Sequence, residues 1–307
     1  MGIVISVLET ALPVFVMLIM GMLCRSKQFI SRDGVDTLKK VVINLTLPFA
    51  LFSAFATADY NLSAVVIPVV VYAACGLMLV LGFLAAKLQK SASKLSAFVS
   101  ACFEAGMLGL PLFALLFPEE NISHFAILML GHDLFVFTLY KTLLVGKTSP
   151  KTIVKDMLTS PTLIGVLAGL LVGATGLYGQ LHKWGVGGIL DGVTSFVSAP
   201  TAAMILLCMG YDFVPSQIPW KKTVKLIIVR LIIAAAVLAL LIFCNRALLG
   251  NMMFEGALII LFILPPPFII PVVANEPAER TEISATLSAM TLLTMVLFAI
   301  VSILMKV

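Results

Sequence analysis

Charged residues are scarce in this sequence: they make up 11% of its 307 residues, whereas 61% are hydrophobic. Soluble domains contain roughly 25% charged and about 45–50% apolar residues. The shortage of charge extends along the whole chain, so little sequence remains for a soluble domain. We therefore predict an all-α polytopic membrane protein that is surrounded by lipid.

Motifs that indicate metal, nucleotide or nucleic-acid chemistry are also lacking. The sequence has no His-Glu-x-x-His zinc motif, no nucleotide-binding motif and no basic patch suited to nucleic acid. The five cysteines have no paired spacing and are expected to be small buried hydrophobes: Cys24, Cys75, Cys102, Cys208 and Cys244. We expect no metal, no cofactor and no nucleic-acid partner, and we expect that the protein is not an enzyme.

Long apolar runs predict the membrane spans. About 20 apolar residues are enough to cross a bilayer as a helix. Ten runs qualify, at 3–24, 41–57, 64–86, 95–117, 123–146, 161–178, 189–210, 223–244, 254–274 and 283–305. Lysine and arginine are concentrated in the odd-numbered loops, with 16 residues against three in the even loops and the termini. The positive-inside rule then predicts cytoplasmic odd loops and two external termini.

Prolines recur at corresponding places in the two halves of the chain. Pro13 in the first run corresponds to Pro161 in the sixth, and Pro48 in the second corresponds to Pro200 in the seventh. With five spans in each half, the second half must enter the membrane in the opposite sense, as in transporters built from inverted repeats. The predicted division is a first repeat at 1–146, a cytoplasmic linker at 147–160 and a second, inverted repeat at 161–307.

The fourth and ninth runs are both interrupted by residues that break helices. Glycine and proline weaken a helix, and a broken helix inside a bilayer exposes backbone dipoles that can hold a ligand. The N-terminus of a half-helix favours an anion such as a carboxylate. If the two breaks cross near the membrane centre, they form a polar site in an apolar wall. The predicted substrate-binding residues are Asn44, Glu104, Ala105, Gly106, Gly109, Pro111, Pro265, Pro266 and Pro271.

Ionisable residues within the predicted spans are candidates for ion coupling. Glu104 must be paired, hydrated or protonated at this depth, so it suits proton coupling, cation binding or a neutral packing role. His132 and Asp133 form a second polar group in the fifth run, and adjacent residues on a helix point about 100° apart. Arg230 in the eighth run is expected either to snorkel to the membrane surface or to pair with an acid. The Asn44 amide suits either a carboxylate ligand or a helix–helix hydrogen bond.

Three motifs resemble the auxin efflux carrier family over nearly the whole chain. They are 44–48 (NLTLP) in the second run, 106–111 (GMLGLP) in the fourth, and the prolines 265–271 followed by Asn275-Glu276 in the ninth. The family usually has Asn-Thr before the fourth-run glycine, where this chain has Glu104-Ala105, and a polar residue after the ninth-run prolines, where it has Pro267. The chain looks like a bacterial member of this family, whose relatives include plant auxin exporters and bacterial permeases assigned to malate or malonate. It is more distantly similar to bile acid:sodium symporters.

The resemblance implies ten transmembrane helices in two inverted five-helix repeats, with helices 4 and 9 broken and crossing beside the substrate. It also implies a homodimer in the bacterial cytoplasmic (inner) membrane. The predicted function is secondary active transport of a small organic anion, a carboxylate or dicarboxylate, by alternating access. Coupling to H+ or to Na+ stays open, as in a sodium-coupled symporter. An intramembrane enzyme or a channel is the alternative from another class.

Overall fold

A computed structural model of the chain describes residues 2–58, 60–89, 93–146, 149, 155, 158–213, 220–268, 270 and 277–305. The regular elements in these ranges are all helical, which confirms the predicted all-α class. The helices are α1 Gly2–Ser26, α2 Arg32–Ala56, α3 Ser63–Leu88, α4 Leu95–Val99, α5 Ala105–Leu116, α6 Ser123–Val145, α7 Pro161–Ala174, α8 Leu177–Lys183, α9 Gly187–Asp212, α10 Trp220–Ala247, α11 Glu255–Ile263 and α12 Pro277–Met305.

Six helices of the described chain are long and apolar enough to cross a membrane, or up to seven if α7 and α8 are one span bent by 69°. They are α2, α3, α6, α9, α10 and the part of α12 from Glu282 to Met305. The protein is therefore a multi-pass membrane protein. The helices of the fourth and ninth predicted spans, α4, α5 and α11, are too short to cross alone because each of those spans is broken.

The second predicted span begins earlier in the structure than the hydrophobic run indicates. The run starts at 41, but α2 begins at Arg32, where the Ser31 side chain accepts a hydrogen bond from the Gly34 backbone N–H and so caps the helix. The first turns of α2 carry the basic residues of the predicted cytoplasmic loop. This helix therefore projects beyond the apolar layer on the side of the basic loops.

Two prolines inside helices are each preceded by one turn of π-helix. The π-turn at Val42–Thr46 ends two residues before Pro48, and the π-turn at Ala105–Gly109 ends two residues before Pro111. Proline has no backbone N–H and its ring collides with the preceding turn of a regular α-helix. The wider π-turn makes room for the ring, so both helices continue through their prolines.

Glycines let α1 touch α9, and α7 touch α2, backbone to backbone. A Cβ on Gly210 of α9 would lie 2.0 Å from the Leu18 carbonyl oxygen of α1, and a Cβ on Gly21 would lie 2.1 Å from the Leu207 carbonyl oxygen. A Cβ on Gly165 of α7 would similarly lie 2.4 Å from the carbonyl oxygen of Pro48 in α2. These distances are too short for any other residue. We call the group of α1, α2, α7 and α9 the frame.

Apart from α8, which contacts α7 and α9, the remaining helices pack around the broken segments. α3 contacts α4, α6 and α10, and α10 also contacts α11 and α12. Aromatic side chains fill the space beside α5, where Phe113 stacks on Phe125 at a centroid distance of 5.5 Å. Phe103 packs against Phe262 at 4.8 Å, which joins the two broken spans. We call this group the crossover bundle, since both breaks lie inside it.

Candidate functional site

The fourth span breaks before its glycines and proline. α4 ends at Val99 and α5 begins at Ala105, so the non-helical segment is 100–104. Glu104 has φ −82° and ψ 64°, outside the helical region, and its carbonyl accepts from the N–H groups of Leu108 and Gly109. Gly106 and Pro111 lie within α5 instead. The expected interruption is therefore present, but it is centred several residues earlier than the glycines and proline indicate.

Glu104 contacts the break in the ninth span with both its backbone and its side chain. Its backbone N–H donates to the Pro265 carbonyl over 2.9 Å. Its carboxylate accepts a hydrogen bond of 2.9 Å from the backbone N–H of Phe268. The broken segments of two distant stretches of chain thus meet, and one residue satisfies backbone groups on both sides of Pro266.

Arg230 of α10 holds both breaks from the other side. Its guanidinium donates to the carbonyls of Val99 and Cys102 over 2.8 and 2.9 Å, and to the carbonyl of Leu264 over 2.9 Å. The side chain is 1% exposed and lies 5.2 Å from the centroid of the Phe103 ring. Within the described part of the chain, Arg230 neither snorkels nor pairs with an acid. Its acceptors are the carbonyl oxygens that the helix breaks leave without a backbone partner.

Two hydroxyl groups complete the hydrogen bonding at the same helix ends. The Tyr140 hydroxyl donates to the Phe98 carbonyl over 3.0 Å, and the Thr294 hydroxyl donates to the Ile263 carbonyl over 2.7 Å. Both hydroxyl-bearing residues are buried. Throughout the described residues, no buried side-chain nitrogen or oxygen lacks a hydrogen-bond partner. The crossover is therefore polar, but its polar groups satisfy one another.

His132 of α6 contacts both the broken segment and its own neighbour Asp133. The Phe103 N–H donates to His132 Nε2 over 3.0 Å, and His132 Nδ1 lies 2.9 Å from Asp133 Oδ1. Because Nε2 accepts, the proton of a neutral imidazole must be on Nδ1, from which it is donated to the Asp133 carboxylate. The two side chains therefore share one network, although adjacent helix residues point in different directions.

A cavity of about 440 Å³ lies between the frame and the crossover bundle. Its inner part reaches Met107 in the first turn of α5 and Phe268 beside Glu104. The walls are mainly apolar, with hydroxyl groups on α12. The other lining residues are Leu18, Met22, Arg32, Lys39, Ile43, Ile205, Cys208, Met209, Gly210, Asp212, Phe213, Ser284, Leu287, Ser288, Thr291 and Leu292.

The charged residues that line the cavity lie at one end of it, which we call the mouth. Arg32 and Lys39 both hydrogen-bond to the carboxylate of Asp212. Asp36 lies 3.6 Å from Arg32 and 3.7 Å from Lys39, so two bases and two acids share the cluster. These side chains are partly exposed, with 58% for Arg32 and 26% for Lys39. An anion entering the cavity therefore passes two cations that are paired with two acids.

The predicted site residues are brought together in part. Ala105 and Gly109 are buried in α5, and Pro265 and Pro266 are buried in the ninth-span break. Gly109 lies close to that break, because a Cβ there would be 2.6 Å from Leu264 Cδ1. Three further predicted residues, Glu104, Gly106 and Pro111, are half-buried.

Asn44 is not part of this group. Its side-chain amide donates to the Lys40 carbonyl within its own helix, and the residue is exposed. The neighbouring Ile43 lines the cavity instead. Pro271 lies outside the described residues. Neither His132 nor Asp133 lines this cavity, and within the described chain no group of three His, Cys, Asp or Glu side chains is placed to hold a metal ion.

Sequence reasoning did not assign Arg230 or Phe268 to the site. A signal for Arg230 exists, since it is the sole charged residue between Lys225 and Arg246 on a 28-residue apolar helix. A charge at that depth is expensive and usually has a partner. Phe268 contributes its backbone N–H, and no side-chain pattern reveals a backbone donor.

Comparison with known families identifies the first half of the chain. Residues 6–155 match the family model described as "membrane transport protein", and this stretch contains α1 to α6, including Glu104 and the first break. A search of curated proteins finds no match. Residues 6–155 thus match the domain of the auxin efflux carrier family, a family of membrane transport proteins.

Proposed function

We propose that the protein is a secondary active transporter that moves a small organic anion, a carboxylate or dicarboxylate, by alternating access. The observation that carries this proposal is the cavity between frame and crossover bundle, which runs from the basic residues of the mouth to Met107 and Phe268 at the two breaks. A volume of about 440 Å³ suits a small organic molecule. The substrate would lie against the first turn of α5.

The lining of the cavity favours an amphipathic anion. The first turn of α5 begins at Ala105, and N–H groups at a helix start attract negative charge. Hydroxyl groups of Ser284, Ser288 and Thr291 line the same space. Methionine and leucine side chains on the opposite wall suit a hydrocarbon skeleton. A carboxylate bound at the breaks with its apolar part along the frame satisfies both kinds of surface.

The basic residues of the mouth indicate the side of the membrane to which the cavity opens. Arg32 and Lys39 belong to the first basic loop and its flank, which the positive-inside rule assigns to the cytoplasm. Asp212, at the end of α9, precedes another basic loop. The conformation described above is therefore an inward-open state, in which substrate exchanges with the cytoplasm. Transport requires a second state in which this mouth closes and the opposite side opens.

The ten-helix inverted repeat remains our proposal for the architecture. The six long helices leave four predicted spans, which correspond to α1, the bent pair α7–α8, the broken pair α4–α5, and α11 with the segment after it. The glycine contacts support the symmetry, because α1 packs on α9 as α7 packs on α2, each pair joining one predicted repeat to the other. The homodimer, the bacterial inner membrane and the external termini stay predictions.

Glu104 is the proposed coupling residue. Its carboxylate is held by one backbone N–H at the point where the substrate cavity meets the breaks. His132 suits this role less well, because its Nε2 accepts from Phe103 and could not do so when protonated. Proton release and uptake at Glu104 would change the charge that a substrate carboxylate meets beside Phe268.

Binding and flux together test the function. We expect purified protein to gain thermal stability with some small carboxylates, since a ligand that binds only the folded state raises its stability. The corresponding amides, equal in size but uncharged, serve as controls. Reconstituted protein should then accumulate labelled substrate by counterflow, driven by unlabelled substrate inside the vesicles. Saturable counterflow indicates a carrier, whereas single-channel currents or conversion of the substrate would reject the proposal.

A further inference from the structure

The C-terminal ends of two half-helices converge on Arg230. α4 ends at Val99 and α11 ends at Ile263, and Arg230 donates to carbonyls of residues at or just after both ends. Each of these helix ends leaves carbonyl oxygens without a partner in its own helix, and these oxygens carry partial negative charge. Two such ends meeting away from water need a cation close to their carbonyl oxygens.

A bound metal ion commonly fills this position in carriers with broken helices. In such carriers, backbone carbonyls of the unwound segments and the C-terminal ends of half-helices coordinate the coupling Na+ or H+. In this chain the guanidinium nitrogens lie 2.8–2.9 Å from the carbonyl oxygens of Val99, Cys102 and Leu264. An arginine side chain keeps its charge in a protein and donates in a fixed planar geometry. These three carbonyl oxygens, which could otherwise coordinate a metal ion, therefore already accept hydrogen bonds from a cation.

We propose that Arg230 is the built-in cation of the crossover: it takes the place of an alkali-metal coupling ion, so that this chain binds and moves its substrate without sodium. Arg230 acts on the half-helices and does not touch the substrate, so it is a positioning residue. Its flat guanidinium lies against the Phe103 ring at 5.2 Å, which fixes its orientation. Part of this inference rests on the proposed transport function, and part concerns the stability of the crossover alone.

The first experiment uses the unaltered protein. Thermal unfolding and substrate binding are measured in sodium, potassium and choline chloride at equal ionic strength. We expect the same Tm and the same Kd in all three salts. A Tm or an affinity that rises with sodium alone overturns the inference. The Tm series needs no substrate, so it stays informative even if no organic anion binds and the proposed function fails.

The second experiment changes the charge of Arg230. Arg230→Lys keeps a cation, Arg230→Gln keeps donors without charge, and Arg246→Gln on the same helix is the matched control. Arg246 is 64% exposed and pairs with Glu255 at the C-terminal end of α10. The loss of its charge should therefore shift Tm little. We expect the Tm of Arg230→Lys to lie between those of the wild type and Arg230→Gln. We also expect Arg230→Gln to lose most of its counterflow. If Arg230→Gln matches Arg230→Lys in Tm and flux, charge is not what Arg230 supplies and the inference is wrong.

A third measurement separates the charge from the side chain itself. Arg230→Ala leaves room for a small cation at the three carbonyls, so millimolar guanidinium or sodium should raise its Tm while leaving that of the wild type unchanged. The absence of any cation-specific rise in Arg230→Ala contradicts the proposal. If neither Arg230→Ala nor Arg230→Gln folds, the salt series on the wild type and the comparison of wild type with Arg230→Lys decide the matter.

Discussion

Glu104 and Phe268 are joined by a hydrogen bond in which the backbone N–H of Phe268 donates to the Glu104 carboxylate over 2.9 Å. The two residues are 164 positions apart in the chain. The bond places a negative charge of the fourth predicted span on a backbone donor of the ninth. A substrate carboxylate of the kind we propose would therefore compete with Glu104 for the same Phe268 N–H.

The variant Glu104→Gln should abolish the pH dependence of flux and leave the fold intact. Glutamine has the same size, and its amide oxygen can still accept from Phe268, but it cannot release or take up a proton. Flux through reconstituted vesicles would be measured as a function of external pH for both proteins. Glu120→Gln is the control, because Glu120 is an exposed glutamate beside His124. A Glu104→Gln protein whose flux still follows pH like the wild type would remove Glu104 from proton coupling.

Removal of the His132 side chain should destabilise the protein. In His132→Ala the buried Phe103 N–H loses its acceptor, and an unsatisfied buried donor costs about 1–3 kcal/mol. We expect a lower Tm in detergent. His124→Ala is the matched control on the same helix, since the His124 side chain is 44% exposed. Equal Tm values for the two variants would show that the bond to Phe103 contributes nothing measurable.

The charges at the mouth should tune the affinity for anions. Lys39→Gln removes a cation from the cavity lining and should raise the KM for an organic anion several-fold. Asp212→Asn removes the acid that Arg32 and Lys39 share and should lower the KM for the same anion.

Both effects should shrink at high salt, because the mouth is partly exposed and its charges are screened. Lys40→Gln is the control, since Lys40 carries the same charge on the same helix but does not line the cavity. Counterflow at several ionic strengths measures the effect. If Lys39→Gln and Lys40→Gln have the same KM, the mouth does not select for charge.

Gly210→Ala should weaken the frame far more than Gly192→Ala. Both glycines lie in α9, so both variants gain the same helix propensity of about 1 kcal/mol. A Cβ on Gly210 would lie 2.0 Å from the Leu18 carbonyl oxygen, whereas nothing lies within 4 Å of a Cβ on Gly192. Forcing the helices apart typically costs about 1–3 kcal/mol or more. We expect a lower Tm only for Gly210→Ala, and similar Tm values would contradict backbone contact between α1 and α9.

Composition and hydrophobic runs were sufficient to predict the all-helical membrane class. The predicted helix boundaries were less accurate. α2 begins at Arg32, because Ser31 caps the helix there and hydropathy does not detect such a cap. The break in the fourth span was predicted from Gly106 and Pro111, yet the helix continues through both. A π-turn accommodates the proline ring, and the chain instead leaves the helix where His132, Arg230 and Pro265 satisfy its backbone groups.

The site was predictable only where a side chain itself signals its role. Glu104 is conspicuous as a carboxylate within a hydrophobic run, and it does lie between the two breaks. Arg230 is equally conspicuous, but its partners are backbone carbonyls from two distant segments, and no side-chain pattern reveals them. Asn44 is a polar residue within a family-like motif, yet its side-chain amide donates a hydrogen bond to the Lys40 carbonyl one turn earlier in the same helix. The direction of a side chain on a π-turn does not follow the ordinary helical period.

The backbone contacts at Gly21, Gly165 and Gly210 have a mechanical consequence. Helices that touch through their main chains cannot slide without steric collision, so the frame behaves as a stiff wall. In the alternating-access mechanism that we propose, motion would occur at a surface where flexible side chains meet. The cavity lies along such a surface, lined by Met22, Met107 and neighbouring aliphatic groups. A ligand in the cavity would therefore lie between the two moving bodies, and its size would set how far they travel.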